Sequence, residues 1–126
     1  MSLVFIDGQA GTTGLEIHGH LAPRDDVELL EIDHALRKDE AAKLEIMEAA
    51  DVVVLCLPDP AAKESAALAA RVGARVLDAS TAHRVTDGWA YGLPEYSHQQ
   101  RQTISGAACV SNPGCYPTGF IPAVAP

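Results

Sequence analysis

Six consecutive apolar residues, Val52-Val53-Val54-Leu55-Cys56-Leu57, lie between Asp51 and Pro58 without a polar residue among them. A half-buried strand alternates inward and outward side chains. An unbroken, largely β-branched run instead points to a strand covered on both faces, as in the middle of a parallel sheet. Parallel neighbours cannot be joined by tight hairpins and need crossover connections, usually helices. The flanking sequence supplies them.

Towards the N-terminus, the apolar run Leu3-Val4-Phe5-Ile6 leads through Asp7 into Gly8-Gln9-Ala10-Gly11-Thr12-Thr13-Gly14, and then to Leu15, Ile17 and Leu21 at helical spacing. This reads as strand, glycine loop, helix. After Pro23 and the charged turn Arg24-Asp25-Asp26, residues Val27 to Asp33 read as a second strand. Asp39 to Ala50 is rich in Ala, Glu, Lys, Leu and Met, and is expected to be a helix with Leu44, Ile46 and Met47 facing inward. Beyond the central run, Pro58-Asp59-Pro60 ends the strand. Ala61 to Val72 follows as an Ala-rich helix stopped by Gly73, and Arg75-Val76-Leu77-Asp78 as a fourth strand.

From Ala79 to Glu95 the alternation fails, and a loop of that length inside a compact domain is usually functional or disordered. Tyr96 to Ile104 reads as a short polar helix and Ala107 to Ser111 as a fifth strand delivering Asn112-Pro113-Gly114-Cys115. No internal repeat or low-complexity tract interrupts the order. The expected fold is therefore α/β, a Rossmann-type doubly wound parallel sheet with right-handed crossovers. Phe120 to Pro126 continues the apolar character of a helix behind Cys115, so the chain reads as one domain of a longer polypeptide. Residues 1–112 are expected to form a nucleotide-binding domain. Residues 113–126 would form a nucleophile loop and the first helix of a largely missing second domain.

Composition narrows the function classes. The chain is 48% hydrophobic and 21% charged, as in a soluble globular protein. No apolar run approaches the roughly 20 residues of a membrane span, and the N-terminus lacks the basic flank of a signal peptide. Three cysteines without a CxxC pair suggest neither a disulfide framework nor a zinc site, which fits a reducing, cytoplasmic location. A net charge of −8 argues against a nucleic-acid partner, so an anionic ligand must be held by local groups.

The glycine loop is the first such group. Its GxxGxxG spacing is a relative of the dinucleotide fingerprint, which needs a tight turn, a backbone able to approach a pyrophosphate, and a helix N-terminus aimed at the anion. Gly8, Gly11, Thr12, Thr13 and Gly14 are the cofactor-loop candidates. Asp33, roughly 20 residues on, would accept ribose hydroxyls and select NAD. Arg37 and Lys38 follow closely and would suit a 2′-phosphate, unless they are simply a solvated face before the next helix. The two signals conflict, with NADP(H) slightly ahead.

Cys115 is the candidate nucleophile. It sits behind a Pro-Gly turn and before an expected helix, where unpaired N–H groups and the helix dipole favour a thiolate. Cys56 and Cys109 fall within strand patterns and read as small buried hydrophobes. His18 and His20 diverge on a helix, so no metal site is expected. Pro58 begins a stiff loop expected to run past the cofactor, touching it through backbone. Ser80 and Thr81, at the ligand-binding edge of an α/β sheet, offer hydroxyls to cofactor or substrate. Arg84 offers a cation to a phosphate or carboxylate, or else an ion pair to Glu95 or Asp87. Trp89 and Tyr91 read as packing residues.

Gly8 to Gly14, Asp78-Ala79-Ser80-Thr81-Ala82-His83-Arg84, Tyr91-Gly92-Leu93-Pro94-Glu95 and Asn112-Pro113-Gly114-Cys115-Tyr116 together resemble N-acetyl-gamma-glutamyl-phosphate reductase of the shorter type. The resemblance covers the whole chain, but only somewhat more than the first third of a family member. It implies an NADP-dependent reductase of arginine biosynthesis, in the wider group that contains aspartate-semialdehyde dehydrogenase. By that analogy Cys115 attacks the acyl phosphate of N-acetylglutamyl phosphate, phosphate leaves, and NADPH reduces the thioester to the semialdehyde. Gly8, Gly11 and Gly14 would hold the cofactor, Asn112 and Gly114 would shape the nucleophile loop, and Arg84 and Asn112 would contact substrate. The family's general acid/base histidine belongs to a second domain, and no residue of this chain sits in that motif, so this chain is expected to bind cofactor with little or no turnover. A homo-oligomer is expected at full length. Two alternatives stay open: a dinucleotide-binding module without chemistry, and an aspartate-semialdehyde-dehydrogenase-like enzyme.

Overall fold

The structure, a computed structural model, describes residues 2–8, 11–80, 82–83, 86, 88–93 and 97–112. Among these, six strands form one sheet in the order β2-β1-β3-β4-β6-β5, with every neighbouring pair parallel. The strands are β1 (Ser2–Asp7), β2 (Val27–Leu30), β3 (Val52–Leu55), β4 (Arg75–Asp78), β5 (Ala90–Tyr91) and β6 (Cys109–Ser111). The helices are α1 (Thr12–Leu21), α2 (Glu40–Ala49), α3 (Asp59–Arg71) and α4 (Gln100–Gly106). This is the doubly wound arrangement expected from the continuous apolar runs. β1 and β3 lie side by side in the interior of the sheet.

Two apolar clusters cover the two faces. On one, Phe5, Val53, Leu55 and Val76 pack with Met47 of α2 and Ala69 of α3. On the other, Val4, Ile6 and Val54 pack with Ile17 and Leu21 of α1. The strand side chains alternate between these clusters, so each run had to be apolar throughout. Leu15 departs from the expected pattern. It shares the helical spacing of Ile17 and Leu21 yet is 59% exposed.

Local chemistry sets the helix starts. Asp39 accepts from the Ala42 N–H at 3.0 Å and caps α2. The segment Pro58-Asp59-Pro60, expected as loop, is in part helical: Pro58 is the N-cap of α3, and Asp59 and Pro60 lie in its first turn. Proline is tolerated there because those N–H groups have no intrahelical acceptor. Strand ends were overestimated by pattern alone. β2 stops at Leu30, three residues before Asp33, and β3 stops at Leu55.

The long loop also holds an unexpected strand. Ala90–Tyr91 pairs with Val110–Ser111 and forms the far edge of the sheet. Behind it a Cβ on Gly92 would lie 2.5 Å from the Ser111 carbonyl oxygen, so only glycine allows that approach. Gln100 at the start of α4 donates to the Tyr91 carbonyl and ties the helix to this edge.

Candidate functional site

The register places Asp7, Leu55, Asp78 and Ser111 side by side at the carboxyl ends of β1, β3, β4 and β6. Ligands of open α/β sheets bind just outside this edge. Here the edge carries a cavity of about 360 Å³ above β1 and β2. Its wall includes Asp7, Gly8 and Leu57, the exposed Leu15 of α1, Glu31 and Ile32 beyond β2, and His34, Arg37 and Lys38.

Gly8 decides how close anything can come. Its φ is +89°, and a Cβ there would meet the Cys56 carbonyl oxygen at 2.3 Å. Gly8 therefore packs directly against the backbone that leaves β3. Gly11 N–H donates to the Gly8 carbonyl at 3.0 Å, closing the turn, and α1 begins at Thr12 with Thr12 and Thr13 exposed. The first N–H groups of a helix point outward without intrahelical acceptors and favour an anion. Of the loop candidates Gly8 lines the cavity, and Gly11, Thr12, Thr13 and Gly14 stand outside its wall at the start of α1. Gly8 and the two cations Arg37 and Lys38 around one cavity fit a dinucleotide.

Arg37 and Lys38 line the cavity, and Asp33 does not. Asp33 is committed elsewhere: its carboxylate accepts from the Ala35 N–H at 3.0 Å and caps the 3-10 turn His34–Leu36. That turn carries Arg37, which donates to the His34 carbonyl at 2.8 Å. The acidic residue on the cavity wall is instead Glu31, whose carboxylate lies 3.2 Å from His18 Nε2. Glu31, His34 and Leu15 were not singled out as ligand contacts. The missing signal was the true end of β2, which puts Glu31 and not Asp33 at the strand's mouth.

Two buried carboxylates, also missed, frame the edge. Asp7 Oδ2 accepts from Ser65 Oγ at 2.6 Å and lies 2.8 Å from Lys43 Nζ. Asp78, fully buried, accepts from the Ser80 N–H at 2.9 Å, from Ser80 Oγ at 2.8 Å and from His83 Nδ1 at 2.5 Å. The carboxylate selects the His83 tautomer that carries its proton on Nδ1, because it can only accept a hydrogen bond there. Trp89 stacks on the same ring at 4.0 Å between centroids. Ser80 Oγ in turn accepts from the Ala82 N–H at 3.1 Å. Among the described residues no buried side-chain nitrogen or oxygen lacks a partner.

The remaining candidates divide. Pro58 and Ser80 are outside the cavity wall, the first capping α3 and the second organising the turn after β4. Asn112 donates its N–H to the Asp78 carbonyl at 2.8 Å, which places the start of the Asn-Pro-Gly-Cys segment beside the Asp78 turn. Cys115, Thr81 and Arg84 lie outside the described residues. Cys56 is half-buried, and its thiol is pushed up to about 11, first by burial and then by Asp7 and Asp78. Burial also raises Cys109. Neither is set up as a thiolate. Among the described residues no group of three or more His, Cys, Asp or Glu could hold a metal ion, and no helix is long and apolar enough to cross a membrane.

The semialdehyde dehydrogenase NAD-binding domain matches residues 8–104. The chain belongs to this family. It is similar to N-acetyl-gamma-glutamyl-phosphate reductase 2 of Nostoc sp., with 50% identity over 98% of this chain and 38% of the relative. The N-acetyl-gamma-glutamyl-phosphate reductase of Chelativorans sp. is 53% identical over 98% of this chain and 40% of its own length. The chain thus spans about two fifths of these relatives and matches their NAD(P)-binding portion. Among solved structures, aspartate semialdehyde dehydrogenase II of Vibrio cholerae superposes with a TM-score of 0.70 at 14% identity, over 98% of this chain and 41% of that one. Aspartate semialdehyde dehydrogenase with NADP from Candida albicans gives 0.70 at 15% identity, over 97% and 45%. Identities that low speak for the fold, which is the family's own.

Proposed function

We propose that this semialdehyde dehydrogenase NAD-binding domain binds NADP(H) in the cavity above β1 and β2, as the cofactor-holding part of an N-acetyl-gamma-glutamyl-phosphate reductase. The observation that carries the reading is that Gly8, Arg37 and Lys38 line one cavity at the carboxyl edge of the sheet. In it the pyrophosphate lies over the Gly8 turn and the first turn of α1. The adenine rests against Leu15 and Ile32, the apolar part of the cavity wall. Arg37 and Lys38 take the 2′-phosphate, with Arg37 braced by the His34 carbonyl.

The residues named for chemistry follow the resemblance and the reductase relatives. Cys115 provides the thiolate, its sulfur bonds to the acyl carbon as the bond to phosphate oxygen breaks, and inorganic phosphate leaves. A bound nicotinamide supplies the hydride that takes the thioester to the aldehyde, and Cys115 is released. Arg84 and Asn112 are the substrate contacts, the acyl phosphate is the small-molecule partner, and the full-length protein is a cytoplasmic homo-oligomer.

One observation favours a second reading, NAD(H). Glu31 stands directly behind β2 on the cavity wall, the position from which a carboxylate accepts ribose hydroxyls. The same carboxylate lies 3.2 Å from His18 Nε2. Titration of the chain with NADPH and NADH by nicotinamide fluorescence separates the two. NADPH is expected to bind at least about tenfold tighter, and the double substitution Arg37→Ala/Lys38→Ala to remove that preference. Equal affinities in the wild-type chain reject the 2′-phosphate role; tighter NADH binding, lost in Glu31→Gln, establishes the second reading.

A further inference from the structure

Beneath the glycine turn, three side chains from three elements close a ring. Asp7 ends β1, Lys43 projects from the first turns of α2, and Ser65 sits inside α3. Lys43 Nζ donates to Ser65 Oγ at 2.6 Å, Ser65 Oγ donates to Asp7 Oδ2 at 2.6 Å, and Lys43 Nζ reaches the same carboxylate oxygen at 2.8 Å. The side chains of Lys43 and Asp7 are only 13% and 7% exposed. Ser65 is too deeply buried to act as a nucleophile, at 1% exposed. The ring is therefore not a second reactive centre.

Its place gives it a different task. Asp7 immediately precedes Gly8 and is itself part of the cavity wall. Its backbone carbonyl accepts from the Cys56 N–H at 2.8 Å, so the carboxylate cannot swing away with the strand end. A bare negative charge there, in a region shielded from water, opposes any phosphate laid over the glycine turn. We propose that Lys43 is a positioning residue for the anionic ligand: it cancels the charge of Asp7 at the floor of the cavity and, with Ser65, holds the turn at the height a pyrophosphate requires. Lys43 does not touch the ligand. The proposal rests on the reading of the cavity as a dinucleotide site and adds the group that makes its floor electrically neutral.

A purely structural clasp and a charge-cancelling one differ in which ligands they affect. The full chain is titrated with NADPH by fluorescence and with adenosine, which has no phosphate, by NMR shift. Lys43→Met is expected to weaken NADPH about tenfold or more while adenosine changes less than about twofold, since only the phosphates feel the exposed carboxylate. Lys43→Arg is expected to keep NADPH affinity within about threefold, and Asp7→Asn/Lys43→Met to recover most of the loss. Equal weakening of both ligands in Lys43→Met, or no recovery in the double variant, overturns the proposal. Should Lys43→Met not fold, Asp7→Asn alone decides: removing the negative charge is expected to tighten NADPH about threefold with adenosine unchanged, and unchanged NADPH overturns the proposal. A wild-type chain that binds adenosine but not NADPH instead rejects the dinucleotide reading itself.

Discussion

Asp7 and Asp78 occupy equivalent places in the two halves of the sheet. Each is the last residue of a parallel strand, each is buried, and the register sets both in one row with Leu55 between them. Their partners differ. Asp7 is held by side chains of α2 and α3, the nearer of which to it in sequence is Lys43 and the other Ser65. Asp78 is held by its own successors, Ser80 and His83. The first carboxylate joins finished elements to one another, and the second folds the loop that leaves its own strand. A strand-end carboxylate can thus serve as a tertiary clasp on the side that holds the cavity, and as a local template on the side that leads to Asn112.

The comparison is broken most directly by removing each carboxylate. Asp7→Ala leaves the Lys43 ammonium buried without its counter-charge and is expected to lower unfolding free energy by about 3 kcal/mol or more, read as a fall in urea midpoint. Its hydrogen-exchange protection should drop across β1, α2 and α3 together. Asp78→Ala removes the acceptor of Ser80 N–H, Ser80 Oγ and His83 Nδ1 and is expected to cost about 2 kcal/mol, with lost protection concentrated in residues 79–93. If the two variants lose protection in the same segments, the distinction between clasp and template is wrong.

The smallest expected effect lies between the two carboxylates, at Cys56. Burial, then Asp7, then Asp78 raise its thiol from 9.0 to about 11. The unfolded chain therefore releases this proton first, so the stability present below pH 9 declines as pH rises towards 11. Cys56→Ala should flatten that decline, measured as the difference in urea midpoint between the two proteins across the alkaline range. Iodoacetamide labelling followed by mass spectrometry sharpens the same point. Cys115 is expected to react well below pH 8.5, roughly the reference thiol value, while Cys56 reacts slowly until far more alkaline pH. Comparable labelling of both at pH 7 removes the case for Cys115 as an activated thiol.

Much of the architecture was legible because burial on both faces leaves a plain mark. The runs at Leu3–Ile6 and Val52–Leu57 had no polar alternation, and both became interior strands. Val27–Asp33 was read too long because Ile32 prolongs the apolar pattern, although the ladder ends at Leu30. That error hid Glu31 and favoured Asp33. Ala90–Tyr91 was missed because two residues carry no period and become a strand only by pairing with β6. Gly8, Arg37 and Lys38 were recognised singly, but their sharing one cavity depends on how far β2 and the 3-10 turn bring the basic pair back over β1.

Residue order alone determined the alternation of strand and helix and the glycine turn between β1 and α1. These follow from local sterics and from solvent exclusion, which neighbouring residues encode together. Tertiary structure alone decided which charges meet. Lys43 and Ser65 join Asp7 only because α2 and α3 pack on the same face as its side chain, and helix-surface lysines and serines look alike in sequence whether they meet water or a buried carboxylate. Hydrophobic patterning is periodic and therefore readable, whereas electrostatic pairing across the fold depends on distances that exist only after the chain has packed.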